Sequence, residues 1–150
     1  MRSRSVADRY LAAYQKLCLT PFFYALISVV STTILLGTQS VYSLPLAFYL
    51  VRILRDIGWE LIWVMVLGIG IALVFLLTSA YAAKGKWWLL FIPLTFVIAD
   101  FVLGIVFFAK LDAVSFYFGL AMHIIALVAF GFVFFFAHKT IVALKEEKKA

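Results

Sequence analysis

Asparagine is absent from this chain, and cysteine occurs once, as Cys18. The first absence removes any N-glycosylation acceptor. The second excludes an intrachain disulfide framework and a cysteine-based zinc or iron–sulfur cluster. Charge is also scarce: 13% of the residues are charged and 67% are hydrophobic, with a mean hydropathy of +1.14. Soluble domains run nearer about 25% charged and 45–50% apolar, so a bilayer is the solvent that suits this composition. At 150 residues the chain reads as a single membrane domain.

The apolar residues fall into four runs: about 17–36, 59–83, 87–109 and 113–137. Each approximates the roughly 20 residues that a helix needs to cross a bilayer. Pro21 falls in the first turn of its run, where a missing N–H costs little. That run is read as a retained span, because a long polar segment, 1–16, precedes it and the cleavage pattern after Leu36 is weak. Lys84-Gly85-Lys86 and Lys110-Leu111-Asp112 are tight turns that make the last three spans antiparallel neighbours. A charged tail occupies 138–150. Trp59, Trp63, Trp87 and Trp88 sit where interfacial aromatic belts are expected.

Between the first two runs, Gly37-Thr38-Gln39-Ser40 reads as a loop. Leu44 to Ile57 then places Leu46, Leu50, Ile53, Leu54 and Ile57 at helical spacing, with Tyr49, Arg52, Arg55 and Asp56 mostly between them. This pattern predicts an interfacial amphipathic helix with an Arg52–Asp56 pair on its wet face, and Gly58 as the bend into the next span. The expected fold is therefore all-α: a polytopic four-transmembrane-helix bundle with a short interfacial helix between spans one and two.

The net charge of +6 points to lipid headgroups, not to nucleic acid, because the basic residues flank the apolar runs. Arg2, Arg4, Arg9, Lys16, Lys84, Lys86, Lys139, Lys145, Lys148 and Lys149 share one side; only Arg52, Arg55 and Lys110 share the other. The positive-inside rule puts the first side, with both termini, in the cytoplasm of a plasma membrane or bacterial inner membrane.

Asp100 and His123 are the ionisable residues deep within the runs. A charge at the bilayer centre costs about 2.5–3.5 kcal/mol even on the insertion scale, so such groups face a partner or water. Counting from the shared turn, both lie roughly 14–15 Å below the outer boundary, which lets antiparallel neighbours bring them together. Ser28 and the Gly68-Ile69-Gly70 stretch fall at similar depth. The expected polar site is thus Asp100, His123, Ser28, Gly68 and Gly70. Small residues four apart, Ser28/Thr32 and Gly68/Ala72, with Gly119/His123 as a looser pair, suit close helix packing. The phenylalanines of 130–136 lie on every face and suggest contact with lipid or another subunit.

Two functions fit these features. One is a transporter or channel protomer in which Asp100 handles a proton or balances a cation and His123 relays protons. The other is a non-catalytic membrane subunit or scaffold in which the pair only packs helices. A water path to Asp100 favours the first, and a dry hydrogen-bonded pair the second. An enzyme is not expected, since no nucleophile–histidine–carboxylate set or soluble domain is present. No cofactor or metal is expected either, because His138, the only other histidine, is fifteen residues from His123. The expected partners are the bilayer and either a second copy or another membrane subunit. Cys18 is expected to be a small apolar filler in preference to a palmitoylation site, and Glu60 a headgroup-level carboxylate.

Overall fold

The computed structural model describes residues 6–38, 48–107, 109 and 113–147. They form six α-helices: α1 (Val6–Leu17), α2 (Thr20–Thr38), α3 (Tyr49–Asp56), α4 (Leu61–Ala83), α5 (Phe91–Val106) and α6 (Ala113–Glu147). A 3-10 turn, Trp87–Leu90, leads into α5. No strand occurs among the described residues. Four helical stretches are long and apolar enough to cross a membrane: Val6–Val30, Ile62–Ala83, Trp87–Val106 and Phe116–Glu147.

Backbone chemistry explains the joints. Pro21 and Pro93 lie in the first turns of α2 and α5, where no intrahelical donor is lost. Gly58 and Gly85 have φ of 95° and 98°, the left-handed region that a side chain disfavours. Each closes a helix in the same way. Trp59 N–H donates to Leu54 O at 3.0 Å, and Lys86 N–H donates to Tyr81 O at 3.2 Å, the six-to-one bond of a Schellman ending.

The expected boundaries shift in several places. Gly37 and Thr38, expected in a loop, belong to α2, and Gln39 and Ser40 lie outside the described residues. The third span ends at Val106, and α6 continues past residue 137 to Glu147. At 1.5 Å per residue α6 is about 52 Å long, well beyond a bilayer core of about 30 Å. Residues 6–16 of the polar N-terminal segment are helical, and α1 docks alongside this extension, with the Tyr10 and Phe136 rings 6.3 Å apart. Its buried positions Ala7, Tyr14 and the following Cys18 repeat at helical spacing. Cys18 is fully buried with Tyr14, Ala82, Leu90, Val133 and Ala137, as a filler should be. The Lys110-Leu111-Asp112 turn, Leu44, Leu46 and the side chains of Thr32, Arg52, Arg55 and Asp56 lie outside what is described.

The four tryptophans are all exposed, as a belt requires, and so is Glu60. The late phenylalanines of α6 divide by face. Phe130 is core, Phe134 packs on Phe91 at 4.9 Å, and Phe132 and Phe135 point outward.

Candidate functional site: the Asp100–His123 clasp

Asp100 on α5 and His123 on α6 meet, with Nε2 2.9 Å from Oδ2. Each side chain is 1% exposed. The carboxylate also accepts the backbone N–H of Tyr49 on Oδ2 at 3.0 Å and that of Leu50 on Oδ1 at 2.7 Å. These are the first two amides of α3. Every helix leaves its first four N–H groups without intrahelical acceptors, and here a carboxylate from another helix takes two of them. Negative charge at a helix N-terminus is favourable for the same reason. Asp100 therefore caps α3 in trans.

A proton inventory follows from the geometry. His123 Nδ1 lies 2.7 Å from the Gly119 carbonyl oxygen, which accepts and cannot donate, so Nδ1 carries a proton. The Nε2···Oδ2 contact then holds one further proton, whichever atom owns it. The pair is electrically neutral as a unit, either imidazolium with carboxylate or imidazole with carboxylic acid. Neutrality is what makes two ionisable groups tolerable inside a helical bundle.

Aromatic rings complete the enclosure. The Tyr49 ring stacks on His123 at 5.0 Å and 12°. Tyr24 of α2 meets the imidazole edge-on at 6.0 Å, and Phe101 lies 5.8 Å away. The Tyr49 hydroxyl donates to Phe116 O at 2.7 Å. Its ring occupies a slot made by two glycines, because a Cβ at Gly119 would lie 2.5 Å from Tyr49 Cζ and one at Gly104 would overlap the same ring. Phe48 is equally buried, edge-on to Phe96 at 5.1 Å and to Tyr24 at 5.5 Å.

The short helix between spans one and two thus exists, but its first turn is sunk among α2, α4, α5 and α6. Tyr49, which the spacing put on the polar face, is 2% exposed. The physical reason is the paired glycines: they leave a ring-sized slot that a flat aromatic fills better than lipid.

The other expected site residues divide. Ser28 is buried one helical turn along α2 from Tyr24. Gly68 is buried against α2, where its Cβ would sit 3.7 Å from Val29 Cγ2. With Ala72 it serves the α2–α4 contact. Gly70 faces outward with open space around it, so the structure does not bring it to the clasp.

Sequence reasoning missed Tyr24, Tyr49, Gly104 and the α3 amides. One signal was present. The residue before α3 is Phe48, which has no side-chain acceptor to cap a helix, so the acceptor had to come from elsewhere. Asp100 likewise had no lysine or arginine at its level to neutralise it.

Fold and site together define the class: an all-α, multi-pass membrane protein with a buried aspartate–histidine pair. No family model matches the chain, and no curated protein or solved structure matches it either.

Proposed function

We propose that this chain is a non-catalytic membrane subunit, a compact helical scaffold whose Asp100–His123 pair locks α3 into the bundle. One observation carries this reading. Both carboxylate oxygens are engaged by protein groups, the Tyr49 and Leu50 amides and the His123 ring nitrogen, and each side chain of the pair is 1% exposed. A group that exchanges protons or ions with water needs a route to water, whereas a packing element needs satisfied bonds. The distribution of basic residues supports placing the Lys84–Lys86 end and both termini in the cytoplasm, in a plasma membrane or bacterial inner membrane.

The competing reading is a transporter protomer. Its support is the single proton between Nε2 and Oδ2, because buried aspartate and histidine are the residue types that build proton relays in membrane pumps and transporters. The two readings separate in one experiment. Proton flux in proteoliposomes is measured beside thermal unfolding for the wild type, Asp100→Asn, His123→Gln and the double variant. The scaffold reading expects no flux and coupled losses of stability, about 0.6 to 1.7 kcal/mol of interaction between the two sites. Wild-type flux that Asp100→Asn abolishes in a folded protein contradicts it.

A further inference from the structure

Ser79 on α4 is wholly buried. Among the described residues its Oγ is the one buried side-chain polar atom with no hydrogen-bond partner in the protein. Buried hydroxyls are nearly always paired, and an unpaired one costs stability. A helical serine commonly turns its hydroxyl back to the carbonyl four residues before it. Here that carbonyl is Phe75 O, which already takes the Thr78 hydroxyl at 3.1 Å besides the N–H of its own helix. Two donors occupy its two lone pairs. The partner of Ser79 therefore lies off the helix.

Register shows what stands across from it. The α1–α2 segment runs antiparallel to α4, with Tyr14 bonded to Ala82 and Val29 packed on Gly68. Fifteen residues up one side thus match fourteen down the other. On that register Ser79, three residues before Ala82, stands level with Leu17 and Cys18. Cys18 is itself fully buried, in one cluster with Ala82.

That level is the break between two helices, since α1 ends at Leu17 and α2 starts at Thr20. The last carbonyls of a helix have no intrahelical donor. At Leu17 the lack is chemical, because the residue four further on is Pro21, which has no N–H. The Cys18 thiol does not supply the missing donor. Tyr14 gives its hydroxyl hydrogen to Ala82 O at 2.7 Å, so its contact with Cys18 uses the thiol hydrogen. The sulfur is left with lone pairs only. An unpaired hydroxyl thus stands level with a carbonyl that lacks the donor a continuous helix would supply.

We propose that a single buried water sits at this break and bridges Ser79 Oγ to the Leu17 carbonyl, with Cys18 Sγ as a weak third partner. Water is the occupant whose chemistry fits, because the site is sealed and needs a donor on one side. Buried waters typically make about three hydrogen bonds, the number of partners available here. Among the described residues no cluster of acidic, cysteine or histidine side chains could hold a metal ion instead. The water ties α4 to the α1–α2 break, a second pin beside the Tyr14–Ala82 bond.

A crystal structure of the full chain in a lipidic mesophase, for the wild type and Ser79→Ala, tests this together with reversible unfolding in mixed micelles. The wild type should show one ordered water within about 3 Å of both Ser79 Oγ and Leu17 O, and Ser79→Ala should lose it. The stability readout has a sign. Removing a dry, unpaired hydroxyl would raise the folding constant, whereas removing a water-bonded one should lower it about fivefold. A Ser79 hydroxyl bonded directly to a protein acceptor, with no water between, overturns the proposal. So does a folding constant that Ser79→Ala leaves unchanged or raises.

Discussion

The two ends of the bundle solve one problem with different chemistry. Near the top, the N-terminus of α3 leaves amides unpaired, and Asp100 accepts two of them. Near the bottom, the C-terminus of α4 leaves carbonyls unpaired. There Tyr14 of α1 donates its hydroxyl to Ala82 O at 2.7 Å, with Gln15 Nε2 3.5 Å from Ala83 O. In both cases a side chain from a different helix finishes what the helix cannot finish itself. The difference lies in charge and redundancy. Ala82 O also receives the Gly85 N–H at 2.8 Å, so losing Tyr14 still leaves that carbonyl a donor. The α3 amides have Asp100, and Asp100 also holds His123. The upper joint is therefore a single point of failure, and the lower one is shared.

That asymmetry orders the expected effects. Asp100→Leu should cost most, about 3 kcal/mol or more, because one buried amide, one part-buried amide and the buried imidazole lose their partner together. Asp100→Asn should cost less, about 1–3 kcal/mol, since its amide keeps one accepting oxygen. Reversible unfolding in mixed micelles reads both, and a loss under 0.5 kcal/mol for Asp100→Leu would show that the upper joint carries little.

Next come Gly104→Ala and Gly119→Ala. Each places a methyl group against the Tyr49 ring and should destabilise by about 1–3 kcal/mol through overpacking. Pairing either variant with Tyr49→Ala should recover much of that loss, because the clash leaves with the ring. Independent, additive losses would mean that the ring is seated elsewhere.

Tyr14→Phe should cost only about 0.5–1.5 kcal/mol, because Ala82 O keeps the Gly85 N–H and the second partner of the hydroxyl, the Cys18 thiol, bonds weakly. If this variant proved as damaging as Asp100→Leu, the contrast between the two ends would collapse. Least costly of all is Gly70→Ala. Its Cβ meets nothing inside α4, so stability should hold or rise, by up to about 1 kcal/mol, in contrast to the losses at the clasp glycines.

How much of this was legible in the residues depends on the kind of signal. The four apolar runs and the turn at Gly85 follow from hydropathy and glycine chemistry, which act locally. The meeting of Asp100 and His123 was legible too, because a short connection between antiparallel helices brings equal depths together. What stayed hidden needed two distant segments at once. Tyr49 looks polar-facing within its own helix and becomes buried only because Gly104 and Gly119, on two other helices, vacate a slot for it. Gly70 and Gly68 are two residues apart in sequence and share a depth, yet a helix turns about 200° in that interval, so one packs and the other faces out. The docking of α1 was similarly obscured. Arg9, Lys16 and Asp8 make its sequence look like a solvated segment, while Ala7, Tyr14 and Cys18 form the buried stripe.

The central claim is that the α3 amides are held by the Asp100 carboxylate inside a sealed bundle. Hydrogen exchange at the Tyr49 and Leu50 amides, followed by NMR in nanodiscs for the wild type and Asp100→Asn, tests it most directly. Both amides should be strongly protected in the wild type, and Asp100→Asn should speed their exchange by about tenfold or more while the mid-helix amides of α4 stay protected. Rapid exchange of Tyr49 and Leu50 in the wild type, or protection that Asp100→Asn leaves unchanged, would contradict the account.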